Sequence, residues 1–166
     1  MEEEILFIFS VTKSQSKKLL IIFVALILAV IISVGIFICL KTKSETAEYD
    51  GIRYSTSAHS EYEIQKFPQQ FGLKVKDKPN YVKNIIIPEH FNACYEDYNA
   101  LQKLVGLDLE KYKGRECQLY NYSLTEYKND ESVSVNLIVC GQKIIGGDIS
   151  EDLYDGFMLS FSGKKA

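Results

Sequence analysis

The sequence predicts an α+β protein: an N-terminal transmembrane helix, then a small domain in which an antiparallel β-meander packs on one amphipathic helix. Three observations carry this. Leu19 to Leu40 is an unbroken apolar run, residues 88–106 place apolar side chains at three- and four-residue steps, and Ser132–Cys140 alternates polar with apolar. Those are the patterns of a membrane span, a one-sided helix and a half-buried strand. The chain has 166 residues, 46% apolar and 25% charged, which suits about one domain and excludes collagen-like or disulfide-packed classes. A net charge of -3 argues against a nucleic-acid partner, which requires a basic face.

The run LLIIFVALILAVIISVGIFICL holds no charge, proline or amide over its 22 residues. At ~1.5 Å per residue it reaches roughly 33 Å, enough for the ~30 Å hydrocarbon core. A helix satisfies its backbone within one segment, as lipid demands, and Ser33 can return its hydroxyl to the preceding turn. The run is too long for a secretory signal and is followed directly by Lys41-Thr42-Lys43, so an uncleaved anchor is expected. Lys13, Lys17 and Lys18 before the span balance Lys41, Lys43 and Arg53 after it. The short tail 1–18 breaks the tie: N-terminus in the cytoplasm, C-terminal domain outside the cell membrane. Residues 41–60 are Ser/Thr-rich with few large apolar groups and read as a flexible tether. The globular domain then spans 61–166.

Within that domain, Ile64, Phe67 and Phe71 mark a helical face that Pro68 breaks or restarts and Gly72 ends. Leu73–Lys76 alternates like a short strand before the turn residues 77–80. Tyr81–Ile87 is a second strand, with Ile85-Ile86-Ile87 expected to be covered on both faces. Pro88 is expected to open the main helix, carrying Phe91, Cys94, Tyr95, Tyr98, Leu101, Leu104 and Val105 inward. Glu89 would lie near its dipole and Gly106 at its end. Asp108 can cap a short turn closed by Gly114. Three strands follow, 115–127, 132–140 and 143–149, joined by a turn at 128–131 and a tight connection at Gly141-Gln142. The tail 150–161 reads as a short helix or turn.

Few residues offer chemistry. Pairing Lys128 with Glu131 in the hairpin sets Cys140 opposite Leu119, with Cys117 as a diagonal neighbour. A Cys117–Cys140 bridge would need a register two residues different, and buried free cysteine is the expectation. Cys39 falls in the span, and no Cys/His spacing points to zinc. His59 and His90 belong to no nucleophile or metalloprotease motif. Asp148, Glu151, Asp152 and Asp155 place four carboxylates in eight positions, candidate ligands for a hard cation such as calcium, though without the alternating spacing of an EF-hand loop. The structural alternative is that Gly146-Gly147 bends the chain and Asp148 or Ser150 caps the next turn. Tyr95, Tyr98, Tyr112, Tyr120, Tyr122 and Tyr127 are expected at the helix–sheet contact. They suit core-edge packing, or recognition of carbohydrate or protein.

The stretches FGLKV at 71–75, IIIPEHFNACYEDYNALQKLVGLDLEKYKG at 85–114, IIGGDI at 144–149 and DGFM at 155–158 carry a resemblance to the bacterial domain-of-unknown-function family 4830. Leu73 stands where that family usually has tryptophan, and Pro68 interrupts the first helix. The resemblance implies a small membrane-anchored protein with no catalytic residues to carry over and no cofactor. With an anchor and tether and no assembled nucleophile, base or metal set, the expected role is a non-enzymatic extracytoplasmic domain that binds an envelope protein or wall component. The alternative is a small envelope enzyme or metal-binding sensor using the Asp148–Asp155 carboxylates.

Overall fold

The computed structural model describes residues 13–126, 133–151, 153 and 155–165. Most of the N-terminal tail, the turn at 128–131, Tyr127, Asp152 and Tyr154 lie outside the described residues. The chain divides into two units between Ser44 and Glu45.

The first unit is one helix, α1 (Lys13–Ser44). Its stretch Leu20–Ile38 is long and apolar enough to cross a membrane, and none of it is buried against protein. The Ser33 hydroxyl donates to the Val30 carbonyl at 2.8 Å, so the one hydroxyl in the run is satisfied within the helix.

The second unit is the α+β domain. Its sheet runs in sequential order through β3 (Tyr81–Ile86), β4 (Glu116–Ser123), β5 (Val133–Cys140), β6 (Lys143–Glu151) and β7 (Met158–Leu159), antiparallel throughout. This is the expected meander. The tail after Ser150 contributes its last strand rather than a helix.

The stretch 41–60 is not a tether. β1 (Thr46–Tyr49) and β2 (Ile52–Ser55) form a hairpin turning on Asp50 and Gly51, both at positive φ. Residues 56–58 then pair along the start of β6, with Ile144 N–H donating to the Thr56 carbonyl at 2.8 Å and Ala58 N–H to that of Gln142 at 2.9 Å. The cause is Tyr54, 7% exposed, whose ring meets Phe67 at 5.9 Å and Phe71 at 4.9 Å. Phe161 joins from the C-terminal tail, 5.2 Å from Phe67. Edge-to-face ring contacts of this kind add to the area they bury, and the Tyr54 hydroxyl donates to the Val105 carbonyl. One large aromatic is enough to order a stretch whose composition is otherwise polar.

Both faces of the sheet are covered. On one, Val133, Val135, Leu137 and Val139 of β5 pack with Tyr122, Ile144 and Ile149 under the hairpin, helix α2 (Glu61–Lys66) and the 3-10 turn Phe67–Phe71. As expected, Pro68 restarts this helix and Gly72 closes it, at φ +75°. Leu73 packs against the same core, so this is a packing position. Leu73–Lys76 forms only a single bridge, Val75 to Leu124. The opposite face carries Ile87, Leu109, Cys117, Ile138 and Ile145, and α3 (Ala93–Lys103) lies over it.

Two further expectations need correction. Helix α3 starts at Ala93, not Pro88, because the Asn92 side chain accepts from the Tyr95 N–H at 2.9 Å and caps it. Glu89 and His90 therefore precede the helix, and Glu96 is the acid of its first turn. Strand β3 is an edge, so Ile86 is 64% exposed while Ile87, just past its end, is fully buried. Gly106 and the Asp108 cap on the 3-10 turn Leu109–Tyr112 stand as expected.

Gly106 has φ +76°, and a Cβ there would lie 2.3 Å from the Glu48 carbonyl oxygen of β1. Gly141 has a similar φ, +64°, with open space around it. Gly141→Ala is expected to cost about 1 kcal/mol from backbone strain alone. Gly106→Ala should exceed it by at least ~1–2 kcal/mol, because the hairpin must also move. Urea midpoints of fragment 45–166 carrying each change check this; equal losses would mean that the hairpin is not docked at Gly106.

Candidate functional site: a groove between α3 and the sheet

Strand β6 changes phase partway along its length. Val139 pairs with Ile144, but Ile138 pairs with Gly146, so Ile145 is an extra residue, a β-bulge. Without it Ile144 and Asp148 would share a face, since strand side chains alternate. With it Ile144 enters the hairpin-side core, while Ile145 and Asp148 turn toward α3. Gly146-Gly147 is thus part of a bulged strand rather than a bend, and neither Asp148 nor Ser150 caps a turn. At Gly147 the backbone has φ +153°, and a Cβ would lie 2.0 Å from the Asn136 carbonyl oxygen. Only glycine fits there.

Asp148 is 3% exposed. Its Oδ1 accepts from the Tyr98 hydroxyl of α3 at 2.8 Å, and its Oδ2 from Asn136 Nδ2 of β5 at 2.9 Å. Asn136 Oδ1 accepts from Asn121 Nδ2 of β4 at 2.9 Å, and Asn121 Oδ1 from Asn80 Nδ2 at 2.7 Å. Three amides on successive strands or their approaches therefore donate head to tail toward one carboxylate. Such a row polarises itself, each bond strengthening the next in a low-dielectric interior. Tyr98 and Asn136 both donate to Asp148, an arrangement that suits an acceptor carboxylate.

Two buried amides of α3 dock the helix itself. Gln102 Oε1 accepts from the Gly147 N–H at 2.8 Å, and Asn99 Oδ1 from the Leu109 N–H at 2.8 Å. The motif pieces Tyr98-Asn99, Gln102, Asp108-Leu109 and Gly147-Asp148 are thus one hydrogen-bonded joint between helix, turn and strand.

Above this polar floor lies an open groove of about 960 Å³, walled by Tyr81, Ile85, Tyr95, Leu119, Ile138 and Met158, with Cys94, Asp97 and Lys165 also at its lining. Among the described candidate carboxylates, Asp148 alone lines it. Glu151 alternates to the other face of β6, Asp155 is exposed, and Asp152 lies outside the described residues. Among the described residues no three His, Cys, Asp or Glu side chains are grouped to hold a metal ion. The tyrosines also divide. Tyr95, Tyr98 and Tyr112 belong to the α3 side, whereas Tyr120 and Tyr122 stack on the hairpin side, their centroids 6.5 Å apart. His59 pairs with Glu45 at 3.2 Å, and His90 is exposed.

The sequence reading missed Asn80, Asn121, Asn136 and Gln102. A strand face written Ser-Ser-Asn looks solvent-facing, but α3 roofs it. The available signal was the presence of asparagine, a poor strand former, in the middle of two adjacent strands.

Asn136→Ala would strip Asp148 of one donor and Asn121 of its acceptor, at a cost of about 3 kcal/mol. Tyr98→Phe should cost less, about 1–2 kcal/mol. Denaturant midpoints of fragment 45–166 check both; a loss under about 0.5 kcal/mol for Asn136→Ala would show the row to be idle.

Burial is the leading cause that raises the phenols of Tyr54, Tyr95, Tyr98, Tyr112, Tyr120 and Tyr122, with Asp148 adding its charge at Tyr98 and Tyr122 reaching about 12. Unfolded phenols ionise near pH ~10, so above that the unfolded chain sheds protons the native one keeps. Their stabilisation is complete below about pH 10 and is lost as pH rises through the folded values. The melting temperature should therefore fall steeply above about pH 10, and less steeply in Tyr98→Phe; a flat profile to about pH 12 would contradict the burial.

The family model described as Domain of unknown function (DUF4830) matches residues 53–149, from β2 through most of β6, taking in the whole amide row, Tyr98, Gln102 and Asp148. The groove residues Phe157 and Met158 lie beyond the match. No curated protein and no solved structure matches the chain. By the extent of that match, which covers more than half of its length, the chain belongs to the DUF4830 family.

Proposed function

We propose that this chain is a single-pass membrane protein that holds its domain outside the cytoplasm and binds an envelope protein or wall component in the α3–sheet groove, without catalysing a reaction. The observation that carries this reading is the state of Asp148. It lies at the base of an aromatic, apolar groove with Tyr98 and Asn136 already donating to it, and Glu151 of the same strand alternates to the other face. A carboxylate held in this way anchors a floor rather than moves protons; acid–base work calls for a group within reach of a substrate proton. Tyrosine and amide lining over apolar walls suits a ligand that offers both apolar area and hydroxyl or amide groups. Anchorage rests on Leu20–Ile38, and the orientation on the Lys17-Lys18 pair that precedes it.

Cys94 is exposed and lines the groove, so it serves both tests. In intact cells an impermeant maleimide should label Cys94 of the full-length protein; labelling only after lysis would reverse the orientation. A photo-crosslinker attached at Cys94 in isolated envelopes should capture a discrete partner, and Met158→Lys should reduce that capture at least about tenfold by placing a charge on the wall. Equal capture with and without Met158→Lys would remove the groove from the proposal.

A further inference from the structure

Strands β4 and β5 pair with Gln118 opposite Val139 and Leu119 opposite Ile138. Carried one residue further, this register sets Cys117 directly opposite Cys140. The register lies two residues from the one that pairing Lys128 with Glu131 predicts. Residues directly opposed in an antiparallel pair have Cα atoms about 4.5–5.5 Å apart, inside the roughly 4.4–6.8 Å range that a disulfide spans. Both thiols are free. Cys140 Sγ lies 3.7 Å from the Glu116 carbonyl, and Cys117 Sγ 3.7 Å from that of Arg115. Cys117 is 4% exposed, Cys140 is half-buried, and Cys94 stands apart on α3.

We infer that Cys117 and Cys140 are a cross-strand dithiol that closes to a disulfide by exchange with a small-molecule disulfide, Cys140 reacting first, and that Cys94 takes no part in that bond. The Cys140 thiolate attacks one sulfur of the reagent, such as oxidised glutathione, forming a mixed disulfide and releasing one thiol. The Cys117 thiolate then displaces the second thiol and closes the protein S–S bond. The cysteine pair loses two electrons and the reagent gains them; the two cysteine protons end, through solvent, on the two released thiols. Burial pushes the Cys117 thiol up to about 12, so the closing step is slow at neutral pH and quickens as pH rises. This inference stands whatever occupies the groove and whichever way the domain faces.

The test uses the full-length protein in detergent, incubated with oxidised glutathione, then alkylated and digested with trypsin. Cleavage after Lys128 separates the two cysteines. The expected product is peptide 116–128 linked to peptide 129–143, forming faster at higher pH and accompanied by a melting-temperature rise on the order of 10 °C. In Cys117→Ala, Cys140 should stop at the mixed disulfide with glutathione, with no such rise. Recovery of the two peptides only as separate alkylated species, or linkage through Cys94, would overturn the inference. So would an equal rise in Cys117→Ala.

Discussion

A buried carboxylate sets the terms for this domain. Leaving water costs an ionised group several kcal/mol unless hydrogen bonds replace its hydration, and Asp148 sits at 3% exposure in the middle of a sheet face. Its needs explain residues that otherwise look unrelated. Tyr98 must come down from α3, which requires α3 to lie close over β6. That closeness is held by Gln102 on the Gly147 N–H and by Asn99 on the turn that follows the helix. Asn136 must come across from β5, and its own oxygen then calls for Asn121. The bulge at Ile145 is what turns Asp148 to this face while sending Ile144 to the other.

The second constraint is that a sheet apolar on one side needs a cover there. β5 offers four valine and leucine side chains on the face away from α3. The material that covers them comes from residues 45–75 and from Phe161, which together surround Tyr54. The domain is thus a two-sided sheet, with an aromatic cluster on one side and a polar floor under a helix on the other. The groove exists because α3 contacts β6 more than β3, leaving the β3 side of that face open.

Long-period signals were legible in the sequence. The alternation of β5, the apolar membrane-length run, the Gly106 stop and the Asp108 cap all appear where residue pattern and backbone chemistry place them. Local composition misled where one residue outweighs its neighbours. Tyr54 overrode a Ser/Thr-rich stretch, and the Asn92 cap overrode Pro88. Of the candidate site, Asp148 and the α3 tyrosines Tyr95 and Tyr98 were legible. The amide partners were not, because a one-residue bulge reverses which residues share a face, and because asparagines on a roofed strand look like asparagines in water. The hairpin register went astray for a related reason. Pairing the turn residues by charge left Asn121 opposite Ile138, whereas the observed register gives each amide the other.

That last point reaches beyond this hairpin. Alternating apolar residues tell a strand which way to face, but they are blind to a slip of two, which preserves the alternation. The row Asn80–Asn121–Asn136–Asp148 is not blind to it. A two-step slip would set an amide against isoleucine and leave a charge stranded, so the amides act as the teeth of a key that turns in one lock. Specificity of alignment, rather than added strength, is what this row secures.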